Sequence, residues 1–296
     1  VDLFSISDLQ SFSGIKAHTI RMWEQRYNAL QPSRSEGNTR YYNGKQLKRL
    51  LNIVSLMNEN HKVSQLCLMP DEKLLALMKD EFESPETKIS YNYFIAQLIS
   101  AALCYNEVYF DKLFSNSILR YGIKNVYIHI IHPALVKMGL WWSKDKLHPA
   151  QEHFVVNIFR QKLYAAVDAL PPPSGTNDTW LLFLPENEFH EIGLLFSNFL
   201  LRQAGKKVIY LGENIPLDSL KLAVKETGVK KLLFFFVRKN NRQDEEAFFS
   251  ILKKDFSNCK IYIACETGRL DGIGLGKNFI QLHSVVSFEK LLETGV

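Results

Sequence analysis

Five short apolar runs, at 179–185, 206–212, 230–237, 260–265 and 278–285, constrain this chain more than any other feature. Each is apolar nearly throughout instead of alternating, as in strands buried on both faces of a parallel sheet. Helical patterns separate them; Ile192, Leu195, Phe196, Phe199 and Leu200, for example, recur at helix spacing. Strand–helix alternation repeated five times predicts a doubly wound α/β domain over 179–296. Ligands in such sheets bind outside the carboxyl ends of the strands. The loop after the first run holds "PENEFHEIG", which puts His190 where a strand ends and a helix begins. A histidine there either caps the helix or reaches for a ligand.

The segment 171–178, "PPPSGTND", cannot continue a helix and has linker composition. Before it, 70–170 reads as nearly all helix, a bundle, and 1–69 forms a segment of its own. The expected architecture is multidomain: a small N-terminal helical unit, a central helical bundle, a linker and the α/β domain. No apolar run approaches the roughly 18 residues that span a bilayer. The N-terminus lacks the basic start and cleavage site of a signal peptide. Cys67, Cys104, Cys259 and Cys265 are scattered and form no CxxC pair. That usage suits a reducing cytoplasm and argues against a disulfide framework or a zinc finger. A cytoplasmic protein with no membrane partner is expected.

The formal net charge is +5, and its location matters more than its size. Between Lys16 and Arg49 stand Lys16, Arg21, Arg26, Arg34, Arg40, Lys45, Lys48 and Arg49, against only Glu24 and Glu36. A local excess of this kind is the footprint of a phosphate-binding surface, or else a solvated basic face. The local pattern favours the first. Ser5 and Asp8 form a weak capping box, followed by Ile6, Leu9 and Phe12 on a short amphipathic helix. Gly14 permits a sharp turn. The helix expected at 16–27 turns Ile20, Trp23 and Tyr27 inward and leaves His18, Thr19, Arg21 and Arg26 nearer the outside. Two short helices joined by a glycine turn, the second basic, match a helix-turn-helix. Residues 33–42 read as a wing, two short strands with Gly37-Asn38 at the tip.

The stretches "FSISDLQSFSGIKAHTIRMWEQRYNALQPSR", "TRYY" and "LKRLLNIVSLM" together resemble the MerR family of transcription regulators over about 3–69. The resemblance implies a winged helix-turn-helix. Lys16, His18, Thr19 and Arg21 would face the major groove of a double-stranded operator, and Arg34, Arg40 and Tyr41 would hold backbone phosphates. Phosphate contacts position the protein and base contacts specify the site. Self-association as a dimer or tetramer is implied too. Lys16 departs from the pattern, since Ser or Thr is usual at a helix N-cap.

In the bundle, Trp142 is followed after nine residues by Glu152-His153. Ahead of an α/β domain, this pattern resembles the cobalamin-sensing MerR regulators of the CarH and LitR type. There it caps the upper face of the corrin, over the adenosyl group. Carried over, Trp142 and Glu152 would face the upper ligand and His153 would help position the cap. Ser143 stands where light-responsive members have a histidine, and serine cannot replace it as a cobalt ligand. Glu188-Phe189-His190-Glu191-Ile192-Gly193 resembles the lower-ligand motif of cobalamin domains, with Glu in place of the usual Asp. A neutral imidazole suits cobalt. The carboxylate two residues earlier can accept the other ring N–H and raise ligand basicity. Gly193 would let the backbone approach a planar ring.

Two loops depart from that resemblance. After the third strand, where a serine is usual, stand Val237, Arg238 and Lys239. Ala264-Cys265 replaces the usual Gly-Gly after the fourth. The first removes a serine that helps hold the nucleotide tail, and side chains at the second would narrow the slot the tail enters. The reading is a non-enzymatic, DNA-binding regulator with a sensor resembling adenosylcobalamin-binding domains. In one alternative the α/β domain binds no cobalamin and serves protein interaction, with another regulatory protein for example, or a different ligand. A corrinoid carrier or enzyme subunit is the other, and the DNA reader speaks against it.

Overall fold

The computed structural model describes residues 3–57, 61–83, 90–142, 148–173, 178–238 and 241–294. The chain forms two compact units, Val1–Ile158 and Phe159–Val296.

The first unit opens with α1 (Ile6–Ser13) and α2 (Ala17–Tyr27). Ser5 and Asp8 make the full capping box, and Gly14 ends α1 at φ 74°, where a side chain would be strained. Lys16 offers α2 no side-chain cap. Gln10 compensates from α1, its Oε1 accepting the Ala17 N–H at 2.8 Å. The antiparallel strands β1 (Ser33–Arg34) and β2 (Arg40–Tyr41) form the expected wing, with Asn38 in the left-handed region at its tip. α3 (Gly44–Ser55) follows, capped by Asn43, and its Leu47, Leu50, Leu51 and Ile53 are buried. Then come α4 (Val63–Leu68), α5 (Asp71–Glu83), α6 (Tyr91–Leu103), α7 (Glu107–Val126) and α8 (His132–Trp142). A turn of π-helix at Tyr127–Ile131 joins α7 to α8, and Gly122 breaks α7 at φ 73°. Hydrophobic periodicity does not reveal either irregularity. α3 packs on α6, whose entire middle is buried. α9 (Pro149–Asp168) starts with proline in its first turn, where its missing N–H costs no helical hydrogen bond.

The second unit is the α/β domain. Its strands are β3 (Thr179–Pro185), β4 (Lys207–Ile215), β5 (Lys231–Phe235), β6 (Lys260–Ala264) and β7 (Phe279–Leu282), and they coincide with the five apolar runs. All pairings are parallel, in the order β4-β3-β5-β6-β7. Helices α10 (Glu191–Gln203), α11 (Leu217–Thr227), α12 (Arg242–Asp255) and α13 (Val285–Thr294) cover both faces. On one face Leu181, Phe183, Phe234, Ile261 and Ile263 pack with Leu220 of α11 and Phe249 and Leu252 of α12. On the other, Trp180 lies against Tyr262 and Phe288 of α13. Each strand is sandwiched, which is why its sequence is apolar at odd and even positions alike. The chain leaves β3 first for β4 and later for β5 on its other side. The crevice between the ends of β3 and β5 is therefore the topological switch point, where ligands of such sheets bind. His190 stands at its edge.

Candidate functional site

The basic face of the first unit is built on α2 and the wing. Lys16, His18, Arg21, Arg26 and Arg34 are exposed, and Thr19, Arg40 and Tyr41 are half-buried. Arg34 Nη1 donates to Asn38 Oδ1 at 2.5 Å and braces the wing tip. The wing is tied to α2 through Glu24. This carboxylate accepts from the Tyr42 hydroxyl at 2.5 Å and lies 3.2 Å from Arg40 Nε. Burial first, and then the Glu24 carboxylate, push the Tyr42 phenol far above its ordinary value, so it stays a donor. Arg49 does not belong to the phosphate-facing set that the charge count gathered. Its guanidinium donates to the carbonyls of Ala29, Cys67 and Met69 at 2.8 Å each and pairs with Asp71. It fastens α3 to α4 and α5 from inside.

Of the expected cap residues, Glu152 is half-buried and His153 exposed, both in the first turns of α9. Trp142 ends α8; its side chain, like all of Ser143 and Lys239, lies outside the described residues. The neighbouring Trp141 is buried, with its ring centroid 3.8 Å from that of Phe12 on α1.

His190 occupies the N-cap position of α10 but does not cap it. Its Nδ1 lies 2.5 Å from Glu188 Oε1 instead. The imidazole is 59% exposed and the Glu188 carboxylate 4% exposed. Glu188 is held from both sides. Oε1 also accepts the backbone N–H groups of Phe189 and His190 at 3.0 and 3.1 Å. Oε2 accepts those of Val237 and Arg238 at 3.0 and 2.6 Å. Burial opposes ionisation of this carboxyl most strongly. The bonds from His190 and from the main chain outweigh it and bring the carboxyl down to about 2. The loop after β5 lacks a serine and contributes its main chain instead.

The residue after the histidine is equally fixed, and sequence reasoning passed over it. Glu191 is buried and accepts the Tyr164 and Tyr210 hydroxyls at 3.0 and 2.9 Å. Arg160 Nε lies 2.9 Å from its other oxygen. Burial and then the Glu191 charge push the Tyr164 phenol up to about 12, so it remains a donor. His190 thus projects from a backbone pinned by buried carboxylates on both sides. This suits an imidazole that must present Nε2 at a fixed angle. Among the described residues no cluster of three or more His, Cys, Asp or Glu is placed to hold a bare metal ion. One imidazole held in a single tautomer by a carboxylate would suit a metal that arrives with its other ligands already in place.

Gly193 lies one turn further along α10. A Cβ there would come within 3.0 Å of the Phe235 ring. The planar ring that this glycine accommodates is therefore the chain's own, which replaces the expected approach to a ligand. No helix among the described residues is long and apolar enough to cross a membrane.

Residues 4–66 match the family of MerR HTH family regulatory proteins. Two Myxococcus xanthus proteins are similar over most of the chain. The HTH-type transcriptional repressor CarH is 26% identical over 75% of this chain and 74% of its own length. The HTH-type transcriptional repressor CarA is 28% identical over 73% of this chain and 70% of its own. The fold matches that of a monomethylamine corrinoid protein from Methanosarcina barkeri, with a TM-score of 0.52 and 13% identity, over 69% of this chain and all of that one. The chain is a DNA-binding transcription regulator with a MerR-type helix-turn-helix at residues 4–66, followed by the fold of that corrinoid protein.

Proposed function

We propose that this regulator represses transcription from a roughly palindromic operator, in the cytoplasm, as a dimer or tetramer, and that a corrinoid is its effector. Lys16, His18, Thr19 and Arg21 read base edges, while Arg34, Arg40 and Tyr41 hold phosphates. The observation that carries the sensor reading is the His190–Glu188 pair at the carboxyl end of β3. Glu188 holds Nδ1, so His190 would offer its other ring nitrogen, Nε2, to cobalt. Phe189, 54% exposed beside it, offers apolar surface to a large ring. By the resemblance to the CarH and LitR type, Trp142, Glu152 and His153 would be the cap residues and the corrinoid would carry an adenosyl group. When bound, the cofactor would supply a cobalt–carbon bond. The protein's own part is to hold, orient and cover it, with no catalytic residues.

The test equilibrates the purified full chain with corrinoids in the dark, desalts it and records the visible spectrum. Retained corrin absorbance that is lost or shifted in His190→Ala supports the reading. An unchanged spectrum in His190→Ala refutes the lower-ligand assignment. Absence of retained absorbance with every corrinoid leaves the α/β unit as a protein-interaction module.

A further inference from the structure

A complete cobalamin carries its own lower base on a nucleotide tail. Cobalt has one lower position, so a histidine ligand displaces that base, and the bicyclic base with its ribose phosphate needs room beside the histidine. Two places at this end of the sheet are close enough to provide it.

The first lies between the opening turn of α10 and the end of β5. Phe235 fills it, its ring so close to Gly193 that even a methyl group there would clash. Cys265 after β6 is half-buried against the opposite, α11–α12 face, with its Sγ accepting Gln281 Nε2 at 3.3 Å. The second is a cavity of about 390 Å³ at the switch point, lined by Asn187, Phe236, Arg238 and the carboxylates of Glu186, Asp244 and Glu245. Glu245 is paired with Arg269, which leaves Glu186 and Asp244 against Arg238, so the cavity offers a phosphate diester no excess of positive charge. Moreover, the loops bounding this cavity are tied to each other by Glu188, whose carboxylate binds the main chain at Val237 and Arg238.

We infer that the site takes a corrinoid without a nucleotide tail, of the cobinamide class, and that Phe235 is the residue that excludes complete cobalamin. This rests on the assignment of His190 as the cobalt ligand. A tail-less corrinoid leaves its lower position to His190 and makes no demand on the space that Phe235 occupies. Complete cobalamin must either keep its base on cobalt, leaving His190 unligated, or force Phe235 out.

The experiment titrates the full chain separately with aquocobalamin and diaquocobinamide and measures retained corrin absorbance and the shift on imidazole ligation. Wild type retains cobinamide at a concentration at least about tenfold below that needed for cobalamin, and Phe235→Ala narrows the gap by about tenfold or more. Phe235→Leu, which keeps an apolar group against α10, gives an intermediate ratio and covers the case in which the alanine variant fails to fold. Wild type that binds cobalamin as tightly as cobinamide with histidine ligation overturns the inference and leaves the His190 assignment standing. An unchanged ratio in both Phe235 variants overturns it as well. Failure of wild type and variants to retain either corrinoid overturns the assignment of His190 and the inference together.

Discussion

The backbone N–H of Arg238 donates to Glu188 Oε2 at 2.6 Å, joining the loop after β5 to the loop after β3. Glu188 accepts four backbone N–H groups in all, besides its bond to His190. An ionised carboxylate only accepts, so every one of these donors is satisfied. Glu188→Gln places an amide NH2 opposite main-chain donors. The expected cost is about 1–3 kcal/mol, the penalty for leaving buried donors unmatched. Hydrogen exchange of the β3 and β5 amides checks it without assuming that both units unfold together.

The same carboxylate makes the α/β unit acid-sensitive. Its ordinary value of 4.5 falls to about 2 on folding. A depressed folded-state value contributes stability that is fully present above the unfolded value and is lost as pH falls through the folded one. The loss therefore runs from about pH 4.5 down to about 2, and amounts to roughly 3 kcal/mol. Exchange protection of wild type and Glu188→Gln should differ at pH 6 and converge towards pH 3. A difference that stays constant over that range would show that the carboxylate's charge is not what holds the loops.

Gly193 and Phe235 form a pair that a double-mutant cycle can isolate. Gly193→Ala alone overpacks the space under α10 and should cost about 1–3 kcal/mol. With Phe235→Ala the clash disappears, and the helix preference for alanine should make the same change neutral or stabilising by about 0.5–1 kcal/mol. If Gly193→Ala costs the same in both backgrounds, the glycine is required for some other reason.

In the first unit a buried polar group joins α3 to the bundle. Gln97 Nε2 donates to Ser55 Oγ at 2.8 Å and Asn52 Oδ1 at 3.3 Å, and its Oε1 accepts the Tyr109 hydroxyl at 3.1 Å. Burial pushes that phenol up to about 12 and keeps it protonated as a donor. Gln97→Leu fills the same volume and leaves three polar partners unmatched. It should destabilise the unit by about 1–3 kcal/mol, read from exchange at α3 and α6. A variant as protected as wild type would mean that water substitutes for the amide.

The doubly wound sheet was legible because burial on both faces leaves a continuous apolar record, and all five strands coincide with their runs. The helix-turn-helix was legible because caps and turns use particular residues: Ser5 with Asp8, Gly14, and Asn38 at the wing tip. Side-chain choice was not. Arg49 and Arg21 look alike in a charge count, yet Arg49 is enclosed by three carbonyls and Asp71. The glycine motif ending at Gly193 indicated close approach without naming the partner, which lies forty-two residues away on β5 as Phe235. Local pattern carries strands and caps; pairing across strands depends on the packed core and has no local signature.

The DNA face yields the sharpest separation of roles. Arg34 is exposed and braces only the wing tip, so Arg34→Ala should weaken binding about equally for all sequences. It should also reduce the slope of log affinity against log salt by about one. Arg21→Ala should relax specificity at one operator position by about 1–3 kcal/mol while leaving non-specific binding nearly intact. Arg40 combines two roles, because its Nε lies 3.2 Å from Glu24, whose side chain is 6% exposed. Removing it strands a nearly buried carboxylate beside Tyr42. Arg40→Ala should therefore lose affinity uniformly and also lower the melting temperature, whereas Arg34→Ala leaves melting unchanged. Operator and scrambled-site titrations at three salt concentrations, with melting curves of each variant, separate these outcomes. Uniform binding by all three variants would place the DNA contact elsewhere on the unit.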